Sequence, residues 1–304
     1  MSEVIPQRRA ALLHRPGRRA ALAGGAAMLL SGCSGTRALN LLVPSGTYQL
    51  QQDVAYGAHP RQRLDVYRPR DAERPVPLVV FFYGGNWSTG ERGDYRFAGE
   101  ALASAGIATV IADYRLSPEV RWRDILADCA AATRWAFDNA AALGAAPDRI
   151  HLMGHSAGGY NAAMLALDAQ WLGRHRLSPG QLAGWIGIAG PYNFLPIVDP
   201  LTRVAFDWPD TPAESQPIHH ASSAAPRTLL LAAKSDTVVD PTRNTMTLAE
   251  RLGTVGVPVH TQVFDRVNHV TLMGAFGTPL RWLAPVRDEV VAFVKASVSS
   301  RPAA

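Results

Sequence analysis

The residues best suited to do chemistry are a serine and its flanking glycines, in the sequence G-H-S-A-G at 154–158. A partly apolar, alternating run at 149–153 comes before them and predicts a short strand, and the segment 159–167 after them is rich in helix formers. A strand, a sharp turn at serine and a helix are typical of a nucleophile elbow, which exposes the hydroxyl above the end of a sheet. Ser156 is therefore the candidate nucleophile.

A serine hydroxyl needs a base that takes its proton and a carboxylate that orients that base. In elbows of this kind the two partners follow the serine in the order acid, then histidine, each in a loop after a strand. Asp236 comes soon after the apolar run 228–233, and His269 lies beyond the alternating run 257–264. We predict Asp236 as the orienting acid and His269 as the general base, carried on a mobile loop.

Two nearby residues compete for these roles. His260 lies inside the second run, so we expect it to be a strand residue. Asp240 precedes Pro241, a pattern that favours the cap of a helix. The position of Asp236 at the end of an apolar strand makes it the preferred acid.

A glycine pair predicts the other half of an active site. The nearly continuous apolar run 76–82 is typical of a strand buried on both faces, and it leads into Y-G-G-N-W at 83–87. Consecutive glycines let backbone N–H groups turn toward a developing negative charge. The predicted oxyanion hole is the N–H of Gly85 or Asn86 together with that of Ala157.

The elements that must position these residues alternate along the chain. Apolar strands at 107–112 and 185–190 and a helix at 123–143 predict an α/β fold, with a mostly parallel central sheet and helices on both faces. The proline-rich segment 195–227 has no clear periodicity and predicts a small cap or lid. Several aromatic residues either line a substrate pocket there or pack in the core: Trp87, Tyr192, Phe194, Phe206 and Trp208.

Three segments, taken in chain order, carry a family resemblance. They are L-D-V-Y-R-P at 64–69, Y-G-G-N-W at 83–87 and D-Y-R-L-S-P-E at 113–119. Together with the serine elbow, these segments resemble the α/β-hydrolase superfamily. Within it they are similar to carboxylesterases of the hormone-sensitive-lipase and feruloyl-esterase-like (BD-FAE-like) kind. The resemblance implies the α/β-hydrolase fold and a serine, acid and histidine triad.

Tyr83 departs from the family pattern, which has a histidine before the paired glycines. Some other hydrolases of the superfamily use a tyrosine hydroxyl as an oxyanion donor, so Tyr83 is a candidate for that role. The alternative is a packed tyrosine whose hydroxyl bonds elsewhere.

These residues predict a serine hydrolase that cleaves small carboxylic esters through an acyl-enzyme. Hydrolysis of amides or formamides is the alternative, because arylformamidase-type enzymes share the G-G-x-W loop and the triad. A non-catalytic binding scaffold is the third reading. The chain has no His and Cys residues at metal-ligand spacing, so we expect neither a metal nor another cofactor.

Residues 1–32 predict a signal peptide. Paired arginines precede an apolar stretch at 20–30 that is too short to span a bilayer as a stable helix. The sequence L-S-G-C at 30–33 resembles a bacterial lipobox, which implies lipidation of Cys33. We therefore expect a lipid-anchored protein on the periplasmic face of the cell envelope, at the outer membrane in a Gram-negative source. A plain secretory peptide is the alternative, and both Sec and twin-arginine export stay open.

The predicted organisation after the signal peptide is a tether with a lead-in strand at 33–60 and a hydrolase domain at 61–298. Most of the net charge of +5 lies in the signal peptide, which holds five arginines and one glutamate. The remaining chain has no basic patch or aromatic platform, so nucleic acid is not expected as a partner. Cys129 lies on a predicted helix and is expected to be a core residue.

Overall fold

The computed structural model describes residues 35–36, 38–72 and 75–296. The predicted signal peptide and the predicted lipidation site at Cys33 lie outside these residues. Within the described part of the chain, no helix combines the length and apolar character needed to cross a bilayer. A short helical stretch at 38–41 packs its Leu39 against the core, beside Gly274 and Gly277.

An eight-stranded sheet forms the centre of the domain, in the order β1-β2-β4-β3-β5-β6-β7-β8. The pairs β1–β2 and β2–β4 are antiparallel, and all other neighbouring strands are parallel. The strands are β1 Tyr48–Ala55, β2 Arg63–Pro69, β3 Val76–Phe82, β4 Ala108–Ala112, β5 Ala145–His155, β6 Gly184–Ile188, β7 Thr228–Ala233 and β8 Val259–Phe264. The mostly parallel sheet predicted from the sequence is confirmed.

The helices that connect these strands vary from one turn to five. They are α1 Arg96–Ala103, α2 Trp122–Asn139, α3 Ala157–Leu167, α4 Ala169–Gly173, α5 Pro200–Ala205, α6 Thr247–Thr254, α7 His269–Gly274 and α8 Val286–Lys295. The segment 195–227, which we call the cap segment, contains α5 and two short 3₁₀ turns. It has no strand of its own, in keeping with its many prolines.

The central strands are covered on both faces. All residues of β4, β6 and β7 are buried, and so is β3 after its first residue. Because successive side chains of a strand point to opposite faces, this pattern requires packed layers on both sides of the sheet. Strands that are buried on both faces therefore need continuous apolar runs and not alternating ones.

The lead-in strand predicted within 33–60 is β1, which pairs with β2 along most of its length. One boundary differs from the sequence prediction. Helix α2 ends at Asn139 instead of continuing to 143, because the chain turns toward β5 at Gly144, where φ is 71°. Cys129 is fully buried, as predicted for a core residue.

His151 is a titratable group inside this core. It lies on β5 with 1% of its surface exposed, and its Nδ1 is 3.2 Å from the carbonyl oxygen of Arg149. The guanidinium of Arg227 lies 3.5 Å from Nε2. Burial, and then the charge of Arg227, lower the pKa of His151 to about 3.

We expect His151→Gln to weaken the acid dependence of folding. Above pH 6.5 the imidazole is neutral in both states, but below it the unfolded chain binds a proton that the folded chain refuses down to about pH 3. The free energy of unfolding should therefore fall in this window by about 1.4 kcal/mol per pH unit for this one histidine. Denaturant unfolding between pH 4 and 6.5 measures the slope. The exposed His260→Gln is the control, and equal slopes for the two variants would contradict the prediction.

Candidate active site

Ser156 occupies a sharp turn between β5 and α3. Its backbone has φ 54° and ψ −122°, and its N–H donates to the carbonyl oxygen of Ile188 at 2.9 Å. The turn needs glycine behind it, since a Cβ on Gly158 would lie 2.0 Å from the carbonyl oxygen of Phe82. The serine itself stays half-buried, so its hydroxyl is within reach of solvent and of a substrate.

The structure brings the three predicted triad residues together. His269 Nε2 lies 2.9 Å from Ser156 Oγ, and His269 Nδ1 lies 2.7 Å from Asp236 Oδ2. With the Nδ1 proton donated to the carboxylate, Nε2 is left as the acceptor for the serine hydroxyl. This is the geometry that general-base activation of a serine requires.

Asp236 is held as an anion in spite of its burial. Burial opposes the charge, but the hydrogen bond and positive charge of His269 together with the N–H groups of Val239 and Val238 outweigh it, and they lower the pKa of Asp236. Those two N–H groups donate to Asp236 Oδ1 at 2.9 and 2.8 Å, while Oδ2 faces the imidazole. One oxygen therefore fixes the carboxylate and the other orients the base.

His269 is on a helix, not on a mobile loop as the sequence predicted. It is the first residue of α7, and Asn268 caps that helix by accepting from the N–H groups of Val270 and Thr271. The hydroxyl of Thr271 in turn accepts from the Asn268 N–H. The N-x-x-T spacing at 268–271 was the available signal for this capped start, and it fixes the base on a rigid element.

The two residues that competed for the acid and base roles, His260 and Asp240, have other partners. His260 is an exposed residue of β8, with Nε2 3.3 Å from a carboxylate oxygen of Glu289. Asp240 accepts from the N–H groups of Thr242 and Arg243, so it caps a helical turn as predicted.

His155 is a site neighbour that the sequence analysis missed. Its Nε2 lies 3.1 Å from the carbonyl oxygen of His269, and the two rings are 5.0 Å apart. Burial, followed by the charge of His269, lowers the pKa of His155 to about 3. It is therefore a neutral donor that holds the backbone of the general base.

The glycine loop lies directly against the elbow. A Cβ on Gly84 would be 2.8 Å from the Cβ of Ser156. Gly85 has φ 132°, and a Cβ on it would lie 2.2 Å from the carbonyl oxygen of Thr89. Asn86 follows with φ 56°. Ala157 is the first residue of α3, where the N–H groups have no intrahelical partner. The loop and the helix start that carry the predicted oxyanion donors are therefore adjacent.

Tyr83 is not an oxyanion donor. Its hydroxyl donates to Asp113 Oδ1 at 2.9 Å and accepts from Arg61 at 2.7 Å, so its single O–H is already committed. The ring is fully buried and stacked between Tyr95 and Tyr114. The alternative reading, a packed tyrosine with its hydroxyl bonded elsewhere, describes the structure.

Most of the aromatic candidates for a substrate pocket are core residues. Trp87, Tyr192 and Phe206 are buried, and the Nε1 of Trp87 donates to Asn161 Oδ1 at 3.1 Å. Trp87 also packs edge-on against Phe206, with ring centroids 4.7 Å apart. This packing fixes the C-terminal end of the glycine loop. Among the described residues, no group of three His, Cys, Asp or Glu side chains is placed to hold a metal ion.

Comparison with known proteins agrees with this geometry. Residues 64–194 match the BD-FAE family model. A probable isoprenylcysteine alpha-carbonyl methylesterase of Oryza sativa is 35% identical over 155 residues, which cover 50% of this chain and 37% of that protein. Esterase LipC of Mycobacterium tuberculosis is 30% identical over 229 residues, which cover 68% of this chain and 56% of LipC. The chain thus spans less than two thirds of each relative.

A solved structure extends the likeness to the whole fold. The truncated form of a carbohydrate esterase from gut microbiota superposes with a TM-score of 0.71, covering 83% of this chain and 99% of that one at 19% sequence identity. A parallel sheet with a serine elbow after β5 and a histidine after β8 defines an α/β-hydrolase fold. The chain therefore has the α/β-hydrolase fold, and its sequence is similar to the BD-FAE family and to these esterases.

We expect Asp236→Asn to abolish most turnover and Asp240→Asn to leave it unchanged. An amide at 236 donates to Nδ1, so the imidazole proton moves to Nε2. A protonated Nε2 cannot accept the hydrogen bond from the Ser156 hydroxyl. The expected loss in kcat is on the order of 10⁴-fold. Asparagine is as good an N-cap as aspartate, so the variant at 240 should stay within about twofold. Ester hydrolysis followed by absorbance measures both, and an Asp236→Asn enzyme with a tenth of wild-type kcat would refute the assignment.

Proposed function

We propose that the chain is a serine carboxylesterase that acts on small carboxylic esters through an acyl-enzyme. The observation that carries the proposal is the relay from the half-buried Ser156 hydroxyl through His269 to Asp236, with spacings of 2.9 and 2.7 Å. The names of the relatives support ester hydrolysis as the reaction, since each is called an esterase or methylesterase.

Acylation uses the triad together with the predicted oxyanion donors. Ser156 Oγ forms a bond to the acyl carbon while its proton passes to His269 Nε2, and the carbonyl oxygen becomes an oxyanion. The N–H groups of Gly85, Asn86 and Ala157 stabilise that oxyanion. Its collapse breaks the ester C–O bond, and His269 returns the proton to the leaving alkoxide. Water then attacks the acyl-enzyme by the same route and releases the acid.

The direct test is hydrolysis of p-nitrophenyl esters from acetyl to dodecanoyl by residues 34–304, beside Ser156→Ala. We expect kcat to fall at least about 10³-fold in the variant, because the nucleophile is lost while the oxyanion donors remain. A fluorophosphonate probe should label the wild type at Ser156 and leave the variant unlabelled. The chain-length profile measures the acyl pocket.

A formanilide substrate, run beside a phenyl ester, separates the competing readings. Faster turnover of the formanilide than of the phenyl ester would replace the proposal of ester hydrolysis with one of amide hydrolysis. No turnover of either substrate and no labelling of Ser156 would replace both by a binding scaffold.

We also propose that the protein is anchored to the cell envelope by lipid on Cys33. The support is the sequence of the leader: paired arginines, a short apolar stretch and L-S-G-C at 30–33. A lipid anchor and the buried Cys129 together leave no pair of cysteines for an intrachain disulfide.

Metabolic labelling of the full chain with an alkyne fatty acid in a bacterial host tests the anchor. The wild type should take up label and sediment with membranes, and Cys33→Ser should do neither, because a single site carries the lipid. Cys129→Ser is the matched control and should keep both properties. An unlabelled wild type would leave a plain secretory peptide as the interpretation, and label retained on Cys33→Ser would place the lipid at another residue.

A further inference from the structure

The cap segment reaches the oxyanion loop through one asparagine. Asp199 caps α5 by accepting from the Thr202 N–H at 2.8 Å, and the same oxygen accepts from Asn86 Nδ2 at 2.8 Å. The Thr202 hydroxyl lies 3.0 Å from Asn86 Oδ1 and 2.9 Å from Asp199 Oδ1. We call these three residues the cap–loop contact. It engages both polar atoms of the Asn86 side chain.

Asn86 needs such support because its backbone is left-handed. Its φ of 56° is a conformation that few residues other than glycine adopt, although asparagine tolerates it better than most. Trp87 has φ 57° and Gly85 has φ 132°, so three consecutive residues lie in this region. Strained backbone of this kind persists only where the surroundings hold it.

The neighbours of Asn86 are held by other means. Trp87 is fixed by its core packing and by Asn161, and its carbonyl oxygen accepts from the Ser117 N–H. The carbonyl oxygen of Gly85 accepts from two N–H groups later in the loop. Asn86 lies between these fixed points, and its side-chain hydrogen bonds among the described residues go to Asp199 and Thr202.

We propose that Asp199 is a positioning residue for catalysis, which orients the Asn86 N–H toward the oxyanion through the Asn86 side chain. This inference rests on the proposed esterase function and adds a role for the cap segment. The cap then completes the oxyanion hole, in addition to any part it plays in covering the substrate. Thr202, which is 5% exposed, supports the same contact from within α5.

A purely structural role for Asp199 predicts something different. As an N-cap alone, Asp199 would stabilise α5 and the fold, and its loss would lower the melting temperature without acting on the chemical step. A positioning role acts on kcat at unchanged KM, because the oxyanion exists after the substrate has bound.

Exchanging the amide of Asn86 and the carboxylate of Asp199 distinguishes the positioning role from the structural one. Asn86→Asp sets two carboxylates against each other where an amide now donates, so the loop should shift. Because the donor is displaced and not removed, we expect kcat to fall about 10- to 100-fold, less than the full loss of an oxyanion donor. Asp199→Asn keeps an acceptor and should lose only a few-fold. The double variant Asn86→Asp with Asp199→Asn restores an amide–carboxylate pair and should recover kcat to within about fivefold of the wild type.

Asp168→Asn is the control, since Asp168 caps the short helix α4 by accepting from Gln170. Its carboxylate faces His220 of the cap segment at 3.9 Å, whereas Asp199 bonds to Asn86. Asp168→Asn should leave kcat and KM unchanged. Recovery of kcat in the double variant, with KM steady and melting temperatures within a few degrees, supports the proposal. The inference is overturned if Asn86→Asp keeps full kcat, or if the double variant is no more active than Asn86→Asp alone. An active wild type would still be an esterase in either case. A wild type without turnover or Ser156 labelling would overturn the proposed function and this inference together.

Discussion

The strained backbone of Ser156 is the constraint on which the rest of the site depends. A side-chain-bearing residue at φ 54° is unfavourable by itself, and it persists because β5 and α3 are packed tightly on either side. That packing leaves no room at the flanking glycines: a Cβ on Gly154 would lie 1.9 Å from the carbonyl oxygen of Gly158. The turn also starts α3 at Ala157, so the candidate nucleophile and the predicted oxyanion donor are consecutive residues on one fixed element.

The parallel sheet then brings the other groups to the same edge. Asp236 follows β7 and His269 follows β8, and the carboxyl ends of parallel strands lie side by side. Local hydrogen bonds finish the orientation: backbone N–H groups fix Asp236, and the Asn268 cap and His155 fix the start of α7. The Asp236 carboxylate and the His269 imidazole are both held within the fold, so a proton leaving Ser156 would meet groups that are already oriented.

The sheet, and the three triad candidates that the structure brings together, could be predicted from the sequence because both depend on local patterns and chain order. Apolar runs identify the buried strands, and the order serine, acid, histidine selects Asp236 and His269 among their rivals. The sequence could not predict contacts between segments that are distant in the chain. Tyr83 bonds to Asp113, and Asn86 bonds to Asp199, through side chains whose direction is set by tertiary packing. The start of α7 at His269 was missed for a different reason, since a six-residue helix is too short to show a period.

The packing of Leu39 against the domain has a consequence for where the reaction takes place. Leu39 lies beside Gly277, shortly after α7, the helix that begins with the general base. Leu39 is only six positions after Cys33, and six extended residues span at most about 22 Å. With lipid on Cys33, the docked end of the tether would hold the domain within one protein radius of the bilayer. An ester that partitions into the bilayer would then reach the domain at its membrane concentration, which is its concentration in water multiplied by its partition coefficient.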